Sequence, residues 1–213
     1  MQKNKVISQQ VIKRLPRYFS HLGYLLESGV VRVSSMELAN QMNLTASQIR
    51  QDLNHFGCFG QQGYGYNVQV LRDEISKILG LGCSYNMIII GAGNLGQALA
   101  NYNNFKNMGF SIRAIFDVNP QICGKKINNC LVSHIDELES STSDFDIDIA
   151  VLALNSKDCQ EIADRLAALS TKAIWNFASF DLRVPQNIAV EDVHLSDSLM
   201  MLSYAITNNA NNA

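Results

Sequence analysis

The spacing of apolar residues changes character near Leu79 to Asn86, "LGLGCSYN". Before this stretch they recur at intervals of three and four, the period of amphipathic helices. After it come short runs rich in β-branched residues, "MIIIG", "IRAIF", "DIAVLAL" and "KAIWNFA", which alternate with helical stretches. The pattern predicts an α/β chain of two modules, with boundaries at residues 1–80, 81–195 and a terminal helix and tail at 196–213.

In the first module a helix is expected from about Gln10 to Glu27, in which Pro16 is a potential early break. "SSME" sets Glu37 three residues after a Ser cap, and "TASQ" from Thr45 repeats the device with Gln48. Two capped helices separated by "MNLT" predict a helix-turn-helix whose second member, Ala46 to His55, is offered to DNA. Ile49, Leu53 and Phe56 turn inward, leaving Ser47, Gln48, Arg50, Gln51 and His55 outside. Such side chains match phosphates and base edges, and Arg50 is the first choice for a contact. "FGCFGQQGYGYNV" then predicts a tight hairpin with Gln61 and Gln62 at its tip and Val68 and Val70 resuming a strand. A helix-turn-helix followed by a hairpin is a winged helix.

In the second module "MIII" is a buried strand running into Gly91, Gly93 and Gly96. That spacing bends a chain into a helix whose first amides face a pyrophosphate. The next β-run ends in Asp117, about 20 residues on, where a carboxylate binds ribose hydroxyls and repels a 2′-phosphate. The expected fold is a Rossmann doubly wound parallel sheet, and the expected cofactor is NAD(H). Gly91, Ala92, Gly93, Asn94, Leu95 and Gly96 would hold the pyrophosphate and Asp117 the ribose.

Net charge is -2, but its distribution is uneven: residues 1–80 carry nine Lys and Arg against five Asp and Glu, the remainder eight against fourteen. A basic first module suits a phosphate backbone. Five cysteines (58, 83, 123, 130 and 159) form no C-x-x-C pair, which fits reduced thiols and no metal site. With no apolar run long enough to span a membrane and no secretory leader, the expected location is cytoplasmic.

An oxidoreductase would need an acid or base and a substrate-binding region after the glycines. His134 and His194 read as residues of strands with apolar neighbours, and "SFDLRVPQNIAV" supplies no acid and base pair. The module leaves no room for a substrate domain, so no catalytic residue is expected. The terminal helix "LSDSLMMLSYAIT", Leu195 to Thr207, carries Leu195, Leu199, Leu202 and Ile206 on one stripe, widened by Met200, Met201 and Tyr204. That breadth predicts packing on a partner subunit.

Along nearly its whole length the chain resembles the Rex family of redox-sensing transcriptional repressors. The resemblance is carried by "RLPRYF" (14–19), "SQIRQDLNHFGCFGQQGYGYNV" (47–68), "GAGNLGQALANY" (91–102), "FDVNP" (116–120), "WNFA" (175–178), "RVP" (183–185) and "LSYAI" (202–206). It implies a homodimer with domain-swapped terminal helices, bound through its winged helices to an inverted-repeat operator in double-stranded DNA. NADH replacing NAD⁺ would release it. The resemblance also brings Tyr102 to the cofactor near the dimer contact, and Arg14 and Arg17 into the DNA-binding set with Gln61 and Gln62. Where Gln51, Gln61 and Gln62 stand the family commonly has basic residues, which implies fewer phosphate contacts here. His194 stands where a carboxylate is usual, so an ion pair with the Arg14 or Arg17 region would fall to Asp192 or Asp197. "ALNS" replaces the usual "VPA" beside the nicotinamide. The rival readings are a small NAD-dependent oxidoreductase fused to a winged helix, a divergent Rex paralogue with altered ligand response, a sensor whose cofactor is only structural, and an oxidation switch at Cys58.

Overall fold

Val11, Leu15, Tyr18, Leu22 and Leu25 repeat at helical spacing and form the buried stripe of α1 (Gln9–Glu27). A computed structural model of the chain describes residues 8–54, 60–61, 64–154 and 157–211. Ser8 caps α1, and the helix continues unbroken through Pro16, the potential break. Proline inside a helix costs about 3 kcal/mol. Leu15, Tyr18 and Leu22, on both sides of it, are fully buried in one core, and each contributes roughly 1.5–3 kcal/mol.

The first compact unit is Met1–Cys83. After β1 (Arg32–Val33), α2 (Ser35–Met42) opens on a capping box. The Ser34 hydroxyl accepts from the Glu37 N–H at 3.1 Å and Glu37 accepts from the Ser34 N–H at 2.7 Å. These bonds, the backbone one foremost, hold the Glu37 carboxyl below its ordinary range. Asn43, at φ 54°, ends α2 in the left-handed region that asparagine tolerates. The Thr45 hydroxyl accepts from the Gln48 N–H at the start of α3 (Ala46–Asn54). β2 (Gly60–Gln61) and β3 (Gly65–Asn67) pair antiparallel, and β1 adds to the other side of β3. Val68 and Val70 do not resume a strand. Asn67 accepts from the Val70 N–H as an N-cap, and α4 (Val68–Ile78) buries Val68, Leu71 and Ile75 at intervals of three and four.

The second unit is Ser84–Ala213. Its elements are β4 (Tyr85–Ile90), α5 (Asn94–Ala100), α6 (Asn104–Asn107), β5 (Phe110–Asp117), β6 (Lys126–Ile127), β7 (Cys130–His134), α7 (Leu138–Ser141), β8 (Ile149–Leu152), α8 (Cys159–Ala168), β9 (Ala173–Asn176), β10 (Ala189–Asp192) and α9 (Leu195–Asn211). The sheet order is β10-β9-β8-β4-β5-β7-β6, parallel throughout except for the edge pair β6 and β7. The chain winds outward from β4 and then crosses back to β8. The switch point therefore lies between β4 and β8, where open parallel sheets bind ligands at their carboxyl ends. Ile88, Ile90, Phe116 and Leu152 pack with Ile162 and Leu166 of α8 on one face. Met87, Ile89, Ile115 and Val151 pack with Ala100 of α5 on the other. His134 ends β7, but His194 lies between β10 and α9 and not in a strand. Among the described residues no helix is long and apolar enough to cross a membrane.

One polar network is buried in the first unit. Arg14 of α1 donates Nε and Nη2 to the two carboxylate oxygens of Asp52 in α3, both at 2.7 Å, and the Tyr18 hydroxyl donates to Asp52 at 2.8 Å. The hydrogen bonds to Asp52 push the Arg14 guanidinium further up. Burial, then the bond to Asp52, raises the Tyr18 phenol well above its ordinary value, so it stays a neutral donor. Arg14→Ala would leave Asp52, 2 % exposed, with Tyr18 as its remaining side-chain donor. Breaking a buried pair costs about 3–5 kcal/mol. Because the Arg14 side chain is 22 % exposed, a loss of about 2 kcal/mol is expected, read as a lower urea midpoint by far-ultraviolet circular dichroism.

Candidate functional site

At the carboxyl end of β4 the backbone makes two close crossings. Gly91 sits at φ 100°, a conformation that strains any L side chain, and a Cβ there would strike the Ala153 carbonyl after β8. A Cβ on Gly96 would strike the Gly91 carbonyl. The Gly91 N–H bonds to Phe116 O at 2.8 Å and the Ala153 N–H to Ile90 O at 2.8 Å, so this turn is clamped between β5 and β8. Gly93 differs: it caps α5 with no side-chain acceptor and has open space where a Cβ would project. Ala92 and Gly96 are buried, Leu95 is half-buried, and Gly93 and Asn94 are exposed. The result is an uncapped helix start facing free space, which suits an anion.

Asp117 ends β5 beside that space and is 9 % exposed. One of its oxygens accepts from the Ala92 N–H at 2.6 Å and the other from the Asn119 N–H at 2.7 Å. Its two oxygens carry about four acceptor positions, so capacity remains for ribose hydroxyls after both bonds are made. Gln97, which sequence reasoning missed, donates to the Ala92 carbonyl at 2.7 Å and holds the loop from the first turn of α5. Its only signal was its place one residue after the last glycine. The exposed Tyr102 packs edge-on against Phe105 at 4.8 Å between centroids, and Phe105 against Trp175 at 5.8 Å. Burial pushes the Cys130 and Cys159 thiols up, away from reactive thiolate. His134 accepts from the Asp136 N–H, a local turn cap. No group of three or more His, Cys, Asp or Glu able to hold a metal occurs among the described residues.

The residues expected to meet DNA lie in the first unit. Ser47, Arg50 and Gln51 are exposed on α3 and Gln48 is half-buried, while Ile49, Asp52 and Leu53 face inward. Arg50 donates to the Ser35 hydroxyl at 3.1 Å, which holds it beside the start of α2. Arg17 donates to the Met42 carbonyl at 3.2 Å, at the end of α2. Arg14 does not share the outer face of α3: its guanidinium is bound to Asp52. Sequence reasoning did not find Asp52, because a charge one turn from other polar residues reads as solvated. Gln61 lies in β2, and His55, Cys58 and Gln62 lie outside the described residues.

A family model described as a putative DNA-binding protein N-terminus matches residues 6–54, and one described as a CoA binding domain matches residues 83–180. A redox-sensing transcriptional repressor Rex from Caldanaerobacter subterraneus subsp. tengcongensis is 52 % identical over 206 residues, covering 97 % of this chain and 92 % of that one. The chain belongs to the Rex family. The solved structure of RSP in complex with NAD⁺ and operator DNA is 50 % identical, with a TM-score of 0.90 over 97 % of this chain and 95 % of that one. RSP in complex with NADH is 48 % identical, with a TM-score of 0.88 over 97 % of each chain. Rex proteins are transcriptional repressors and not enzymes, although the second unit shares its sheet order with dinucleotide-binding dehydrogenase domains.

The close crossing at Gly96 yields a direct test. Gly96→Ala must move α5 away from Gly91, so NADH affinity is expected to fall at least about 100-fold. The measurement is isothermal titration calorimetry, with circular dichroism to show that the sheet is retained.

Proposed function

We propose that the chain represses transcription as a homodimer that reads NAD(H) at the β4–α5 turn and leaves its operator when NADH replaces NAD⁺. The observation that carries this reading is the joint presence of a clamped glycine turn with Asp117 beside it and an exposed polar face on α3. The RSP complexes with NAD⁺ plus operator DNA and with NADH support it. Ser47, Gln48, Arg50 and Gln51 supply the DNA contacts, with Arg17 beside them, and Arg14 acts through Asp52 by fixing the pose of α3. The amides at Gly93 to Leu95 receive the pyrophosphate, and Asp117 receives the adenosine ribose. The setting is the cytoplasm.

Redox discrimination follows from charge. The nicotinamide end of a dinucleotide on this sheet lies over the ends of β8 and β9, where Leu154, Phe177 and Ala178 are apolar. Burying a cationic ring there costs more than burying the neutral reduced ring. The preference becomes a signal only if it differs between two dimer shapes. A shift from 1:99 to 99:1 needs about 5.5 kcal/mol of differential binding, which two sites per dimer share.

Two surfaces support the dimer. α9 exposes Leu195, Leu199, Met200, Met201, Leu202, Tyr204 and Ile206, each at 59 % or more, so it does not dock on its own unit. An apolar cleft of about 420 Å³ is lined by Met87, Phe105, Met108, Ile149, Trp175 and Ala189. A monomer rarely leaves such surface in water.

Fluorescence anisotropy on an A/T-rich palindrome at fixed salt tests the sensor. Operator affinity is expected to be at least about 10-fold weaker with NADH than with NAD⁺; equal affinity would make the cofactor merely structural. For the dimer, Leu199→Glu with Leu202→Glu is expected to give a monomer in sedimentation velocity and to weaken operator binding more than about 100-fold. A dimeric double variant would move the interface away from α9.

A further inference from the structure

Alternation along the end of β9 sends neighbouring side chains to opposite faces. Trp175 and Phe177 pack with tilted rings at 4.7 Å between centroids on the side of Phe105. Asn176, between them, turns the other way and is completely buried. A buried amide must be satisfied, and this one is. Nδ2 donates to Phe180 O at 2.9 Å and to Asp192 Oδ1 at 2.7 Å, while Oδ1 accepts from the Ala178 N–H at 3.0 Å. The backbone adds a second tie, from the Val193 N–H to Asn176 O at 2.8 Å.

These partners belong to two different regions. Ala178 and Phe180 form the turn after β9, at the same edge of the sheet as Gly91 and Asp117. Asp192 and Val193 form the root of α9, which begins at Leu195. Both donor hydrogens of Asn176 sit on one planar NH₂ group, so the directions to Phe180 and Asp192 are fixed relative to each other. If the turn moves the Phe180 carbonyl, the amide must rotate with it or lose a bond. Asn176, fully buried, has no water to replace the partner it loses.

We propose that Asn176 and Asp192 are the positioning joint through which the nicotinamide end of the cofactor site reaches the root of α9. This rests on the sensor reading given above. Asn176 orients the turn on one side and Asp192 on the other, and neither needs to touch the cofactor. The joint makes cofactor response separable from cofactor binding.

The test uses two substitutions at Asp192, which is exposed and so leaves the core undisturbed. Asp192→Ala removes the acceptor; Asp192→Asn keeps an oxygen able to accept from Asn176. NADH binding is followed through quenching of the single tryptophan, Trp175, and operator binding by anisotropy with NAD⁺ or NADH. In Asp192→Ala the NADH midpoint is expected to stay within about 3-fold of the unsubstituted protein, while the NADH-to-NAD⁺ ratio of operator dissociation constants falls at least about 10-fold towards unity. Asp192→Asn is expected to restore the ratio, which a role in general stability would not require. An unchanged ratio in Asp192→Ala, a failure of Asp192→Asn to restore it, or a joint loss of NADH and operator binding would overturn the joint. A ratio of unity in the unsubstituted protein would instead overturn the sensor reading, and the joint with it.

Discussion

The approach of three backbone segments at Gly91 is the constraint on which the second unit depends. β4 must end between β5 and β8, and its hydrogen bonds run to both: Gly91 N–H to Phe116 O, and Ile90 O from Ala153 N–H. A side chain at Gly91 would force β8 away, and one at Gly96 would lift α5 from the loop. Only with both glycines does the first turn of α5 come down over the switch point with its amides unpaired. Gly93 is under no such packing demand, since nothing lies within 4 Å of its missing Cβ. It leaves room for a ligand where the other two leave room for the protein itself.

The first unit solves a related problem with charge. A recognition helix needs a polar outer face, and such a face contributes little to holding the helix in place. Asp52 supplies orientation from the inside by accepting from Arg14 and Tyr18 of α1. A buried ion pair of this kind is weak evidence for stability, because desolvation offsets much of its attraction. Its value here is geometric, since a bidentate fork fixes α3 about its own axis in a way that Ile49 and Leu53 alone do not. In the proposed complex the outer residues of α3 are then free to meet DNA.

What the sequence made legible was local. Ser34 and Thr45 announce their helices because a capping hydroxyl acts within three residues, and the Gly91 to Gly96 spacing announces a turn for the same reason. Val68 and Val70 misled because two alternating valines fit a strand as well as a helix over so short a window. Asn67, whose cap decides the matter, carried no reading of its own in the sequence. The roles of Asp52 and Asn176 depend on partners 38 and 16 residues away, which no local pattern encodes. Asp117 was legible in position but not in full: beside the ribose role proposed for it, its bonds to Ala92 and Asn119 make it part of the cradle's own backbone order.

The terminal helix links these separate devices. A helix of 17 residues with apolar side chains on more than one face gains its stability from what it packs against, not from intrinsic propensity. In the proposed dimer that support comes from a second copy, and a two-fold arrangement of winged helices is what an inverted repeat requires. The spacing between the two recognition helices would then depend on how each α9 leaves its sheet. That departure is set at Asp192 and Val193, both tied to Asn176. In the proposed dimer a small change at the cofactor edge would therefore act where the lever is longest, at the root of the helix that joins the two subunits.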